Sequence, residues 1–179
     1  LSTLRSLSSV SLWLAAIAIV APALTPTASA AVKLSNLATN SFGSAMVSAA
    51  NFKAQPFRTT AIGPFEITSL TIRMLGGANN AGQFTVSIYA GESAPATLVP
   101  NGRLIGESNP FTAGDYTYTA SGLTLDPDTT YWIVASVGSG PGSYRWAIAA
   151  TATYQVAEWA KVERFGESFN QGSSWGIKA

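Results

Sequence analysis

Residues 123–137, LTLDPDTTYWIVASV, restrict the fold more than any other part of the chain. Pro127 pre-sets φ for a turn, and Asp126 and Asp128 supply the side-chain hydrogen bonding that turns use. Tyr131, Trp132, Ile133 and Val134 follow, the densest run of strand formers in the sequence. Apolar side chains on both parities predict a strand covered on both faces, as in a sandwich interior. Leu125, Pro127, Thr129 and Tyr131 fit a corner pattern in which the tyrosine hydroxyl returns to nearby backbone.

The rest of the chain reads as short strands between turns. Residues 31–51 are a small-residue lead-in, with a first strand expected at 45–52. Pro56 and Pro64 suit edges and turns. Residues 66–75, EITSLTIRML, place Leu70, Ile72 and Met74 on one face. Ile67 has the wrong parity for that set, which predicts a bulge near Thr68 and Ser69. Residues 83–90 alternate, with Phe84, Val86 and Ile88 inward, and the turn cluster at 76–82 suggests a hairpin between these two strands. A loop at 91–102, a short strand at 103–106 and an alternating strand at 115–119 come before the central stretch. Further strands are expected at 144–148, 151–162, 165–169 and 174–177. This spacing, with no long helical period, predicts an all-β fold: an antiparallel, jelly-roll-like β-sandwich.

The first thirty residues read as a signal peptide. Arg5 gives a basic start, residues 12–20 an apolar run, and Ala28-Ser29-Ala30 a small-residue cleavage motif. The domain is then 31–179. Removing the leader takes away Arg5 and no acid, leaving nine basic and nine acidic residues. A neutral chain argues against nucleic-acid partners and, after cleavage, against membrane binding.

The chain has no cysteine and no histidine. That excludes disulfides, thiolate nucleophiles, cysteine-based zinc sites and every histidine-containing triad. Four other chemistries meet simpler readings. Asp126 and Asp128 fit turn chemistry better than calcium, which needs 6–8 oxygens. Gly138, Gly140 and Gly142 precede a strand, not the helix a phosphate loop needs. Glu158, Glu163 and Glu167 lack a motif marking a glycosidase pair and read as solvated surface. Lys53 and Lys161 lack the S-x-x-K spacing of a Ser-Lys dyad. No catalytic residue, metal or cofactor is expected.

Binding candidates are aromatic: Tyr116, Tyr118, Trp146, Trp159 and Trp175, because ring faces stack on sugars and mark recognition surfaces. Core packing is the stronger reading for Trp132 and Trp146, leaving Tyr116, Tyr118 and Trp159 as the main candidates.

The order LTIRML, FTVSIYA, RLIGES, GDYTYTASGLTLDPDTTYWIVASV and SYRWAI resembles the bacterial choice-of-anchor R surface domain. The matching residues are Val86, Ser87, Ile88 and Tyr89, then Leu123, Leu125, Thr129, Tyr131 and Trp132, then Trp146. The resemblance spans roughly residues 45–175 and implies an exported surface protein. That family usually carries a C-terminal sorting signal, and residues 175–179 show no apolar tail, basic cluster or LPxTG motif. The corner pattern also resembles fibronectin type III.

The expectation is therefore an exported, secreted or cell-surface domain without catalysis, acting in adhesion or matrix interaction with surface glycans or extracellular proteins. Alternatives are a carbohydrate-binding module using exposed aromatics and a fibronectin type III-like interaction module. A hydrolase working with carboxylates alone is the enzymatic reading to be tested against these.

Overall fold

A computed structural model describes residues 29–35, 43–61, 63–79, 83–148, 159–160 and 165–178. No α-helix occurs among them. The strands are β1 (Ser29–Ser35), β2 (Gly43–Ser48), β3 (Phe52–Thr59), β4 (Phe65–Ala78), β5 (Phe84–Ala90) and β6 (Thr97–Arg103), followed by β7 (Ala113–Leu125), β8 (Thr130–Val137), β9 (Ser143–Ile148), β10 (Trp159–Ala160), β11 (Phe165–Ser168) and β12 (Gly176–Lys178). They form two sheets, and the all-β sandwich expected from the sequence is what the chain adopts.

Sheet A holds β4 at its centre, with β7 along one edge. β1 and β9 take successive stretches of the other edge, against residues 65–71 and 74–78, and β2 lies beyond β9. The β1–β4 pair is parallel, and the other described pairs are antiparallel. Sheet B runs β12-β11-β3-β8-β5-β6, with β10 also on β3. Phe57, Val86, Ile88, Tyr131 and Ile133 of sheet B meet Ile67, Leu70, Ile72, Met74 and Trp146 of sheet A in one buried core. Along one side the layers are tied where Ile105 and Thr119 exchange backbone hydrogen bonds of 2.8 Å and the Asn101 amide donates to the Gly122 carbonyl.

The organising stretch behaves as its sequence predicts. β8 is flanked by β3 and β5, and all but one of its residues are buried. Tyr131, Ile133, Ala135 and Val137 face the inter-sheet core, and Trp132 and Val134 face outward into a second apolar cluster. The Tyr131 hydroxyl accepts a 2.9 Å hydrogen bond from the Asp126 amide, closing the corner. The Thr59 hydroxyl fastens the same turn by donating to the Asp126 carbonyl. The break near Thr68 is present too: the β4–β7 register shifts between Ile67 and Ser69, so that Ile67 and Leu70 both reach the core.

Four expectations are corrected. The strands at 66–75 and 83–90 are not a hairpin. β4 lies in sheet A and β5 in sheet B, their apolar faces meeting across the core, and alternation specifies a face without specifying a partner. The expected strand at 45–52 is two strands on different sheets, separated by a turn in which Ser48 and Asn51 exchange backbone hydrogen bonds. The strand expected at 103–106 lies earlier, as β6, with Pro100 tolerated because β6 is an edge. Pro56 sits inside β3, a central strand, not at an edge. Pairing parity turns its nitrogen away from β8, toward the gap between β10, which pairs residues 58 and 59, and β11, which pairs residues 52–54. No ladder hydrogen bond is lost there. Of the strand expected at 151–162, only β10 falls within the described residues.

Candidate binding face

The outer face of sheet B follows from its register. One row across the strands runs Leu98, Tyr89, Trp132, Pro56. The next runs Arg103, Ser87, Val134, Ala54, Gly166, Ile177. The third runs Thr85, Ser136 and, on β3 and β11, Phe52 and Ser168, with Trp175 just before β12. The middle row is mostly small residues, and larger side chains from either side lean over it. Trp132, Val134 and Ala54 are buried, and Tyr89, Trp175 and Ile177 pack against them while staying partly exposed.

Gly166 makes this layer possible. A Cβ there would stand 3.2 Å from Ala54 Cβ, 3.3 Å from Trp175 Cε3 and 3.4 Å from Ile177 Cδ1. The absent side chain lets the Trp175 and Ile177 side chains close over β11 toward Ala54. Trp132 is fully buried and pinned by a 2.7 Å hydrogen bond from Nε1 to the Gly91 carbonyl. The face is thus a rigid apolar base carrying partly exposed aromatic rings.

Its charged border is internally paired. Arg58 donates to Asp128 at 3.1 Å and to Glu92 at 3.2 Å, and also reaches the Thr130 hydroxyl. The hydrogen bond to Asp128 is the largest influence raising the guanidinium pKa above its ordinary value. Behind the C-terminal segment, Glu167 accepts from Lys53 at 2.8 Å and pairs with Lys178. Lys178 and then Lys53 hold its carboxyl below the usual carboxylate range, against the opposing pull of burial. A carboxylate held ionised in this way is unsuited to act as a glycosidase general acid. Glu158 and Glu163 lie outside the described residues. Asp126 and Asp128 act as turn residues: the Asp128 amide donates to the Thr60 carbonyl and its carboxylate is taken by Arg58. Among the described residues no group of three potential ligand side chains gathers.

The three main candidates from the sequence do not form one surface. Tyr118 is a correction: it is 1% exposed, lies between the sheets beside Phe84, and donates its hydroxyl to the Glu107 carbonyl at 2.9 Å. Burial raises its pKa far above a free tyrosine's, and it offers nothing to a ligand. Tyr116, on the same face of β7, is half-buried against the core and bonded to Thr112. Trp159 pairs through its backbone with Thr59 on the other sheet, and its side chain lies outside the described residues. Trp146, like Trp132, is core. Trp175 is the early candidate that the structure places on the face. Sequence reasoning missed Tyr89, although it ends a clean alternation on the parity opposite Ile88; only the finding that this side of sheet B carries its own apolar cluster gives that parity meaning.

No protein-family model, no curated protein and no solved structure matches the chain.

Proposed function

We propose that the chain is an exported, non-catalytic recognition domain that holds a cell surface or extracellular matrix through the outer face of sheet B, as the resemblance to choice-of-anchor surface domains implies. The observation that carries this reading is the pair of partly exposed rings, Tyr89 and Trp175, fixed on the buried Trp132–Val134–Ala54 cluster. Exposed apolar rings with rigid backing favour binding because little freedom is lost on contact. The sequence supports export through its leader-like first thirty residues and argues against most enzyme chemistry by lacking histidine and cysteine.

The test is retention of the purified domain on fixed cells and on matrix extract from the host. Wild type is retained, and Tyr89→Ala combined with Trp175→Ala washes off while keeping its circular dichroism spectrum. Wild type that washes off every surface overturns the reading. Turnover of a glycoside panel, abolished by Glu158→Gln or Glu163→Gln, replaces it with the hydrolase.

A further inference from the structure

We infer that the ligand of this face is an uncharged polysaccharide segment laid across the strands from Tyr89 to Trp175; the inference rests on the recognition reading above and names its ligand class. Tyr89 stands on β5, and Trp175 leans over Gly166 of β11, with β8 and β3 between them. Three strand spacings of ~4.8 Å across the sheet and a two-residue offset of ~7 Å along it put the two sites roughly 16 Å apart. One sugar unit cannot touch both rings, and a chain of several can.

Four observations favour a sugar chain over other occupants. A pyranose offers an apolar C–H face ringed by hydroxyls, and this face offers partly exposed rings fringed by the Thr85 and Ser136 hydroxyls, themselves hydrogen-bonded at 2.7 Å. The Tyr89 hydroxyl has no hydrogen-bond partner among the described residues, so it is available to such a hydroxyl rim. The exposed apolar surface is small: the part-buried rings of Tyr89, Trp175 and Phe52, Ile177 and the edge residue Leu98 at 38% exposure. A stable protein partner needs about 800 Å² a side with an apolar centre. The charged border is also cancelled from within, Arg58 by Asp128 and Glu92, which leaves Arg103 at the β6 edge as the one unpaired cation of this face among the described residues. One cation does not make a site for a polyanion.

Native affinity electrophoresis tests this, using gels cast with soluble β-glucan, galactomannan or xylan and, separately, acidic alginate. Wild type is slowed by at least one neutral polymer and not by alginate. A hexasaccharide of that polymer competes, and its monosaccharide does not. Tyr89→Ala and Trp175→Ala each weaken retardation about tenfold, the size of one lost aromatic contact, and Trp175→Phe keeps most of it. Urea denaturation of each variant separates lost binding from lost fold. Retardation by alginate alone, or retardation by a neutral polymer that folded Tyr89→Ala and Trp175→Ala chains retain in full, overturns the inference. Retention on matrix without binding to any neutral polymer overturns it too and leaves the recognition reading standing; loss of both removes both.

Discussion

Replacing Trp132 by alanine removes the largest side chain in the outer cluster. The ring is fully buried, supports Tyr89 and Trp175, and donates to the Gly91 carbonyl at 2.7 Å. Large aromatic truncations in cores cost about 3–5 kcal/mol, transfer and cavity terms together. Gly91 is only partly buried, so water takes over its carbonyl and adds little to that cost. With a denaturant slope of ~2 kcal/mol/M in urea, a loss of ~4 kcal/mol moves the midpoint down by about 2 M. A domain's whole stability is roughly 5–15 kcal/mol, so the variant sits close to unfolding. Tyr131→Phe makes the inward-facing control. It deletes only the acceptor of the Asp126 amide at 2.9 Å, and that amide lies on an exposed turn, so the loss is about 1 kcal/mol. Urea titrations followed by circular dichroism read both variants. A Trp132→Ala midpoint within ~0.5 M of wild type, at an unchanged slope, refutes the claim that β8 is a two-faced core strand.

Other outcomes follow from single contacts. Glu167 is held below its ordinary pKa by Lys178 and Lys53, so its contribution is fully present above the unfolded value, near 4.5, and is lost as pH falls through the lower folded value. Stability measured from pH 6 downward therefore drops below about 4.5, and Glu167→Gln, less stable at pH 6, shows a flatter profile. Gly106→Ala drives a Cβ into the Tyr118 ring, with Cε1 and Cγ at 2.9 Å and the ring anchored by its hydroxyl on Glu107. It lowers stability by about 1–3 kcal/mol in the same titration. On the leader reading, N-terminal sequencing of protein recovered outside the cell begins at Ala31 or Val32; a mature chain that retains residues 12–20 contradicts that reading.

What the sequence revealed was faces, and what it concealed was partners. β8 was legible because both its parities are apolar, and the Thr68 break because Ile67 and Leu70 cannot share a face in a regular strand. Alternation in Phe84, Val86 and Ile88 marked an inward face equally well for a hairpin or for two strands on opposing sheets, and the second holds. Pro56 was read from its missing donor alone, whereas the gap between β10 and β11 that accommodates it is a property of pairing. The candidate face was half-legible. Trp175 stood out by type, but Tyr89 becomes significant only once β5, β8, β3 and β11 lie side by side. Tyr116 and Tyr118 share a face as the alternation required, and that face is the inner one.

On the proposed reading the outer face of sheet B does the binding. Residue-resolved amide hydrogen exchange tests it most directly, comparing the free domain with the domain held on the matrix or polymer that retains it. The predicted protection falls on residues 87–91 and 166–177, with β4 and β7 unchanged. Protection confined to residues 69–75 of β4 and 113–119 of β7 would contradict the claim and move the interaction to sheet A.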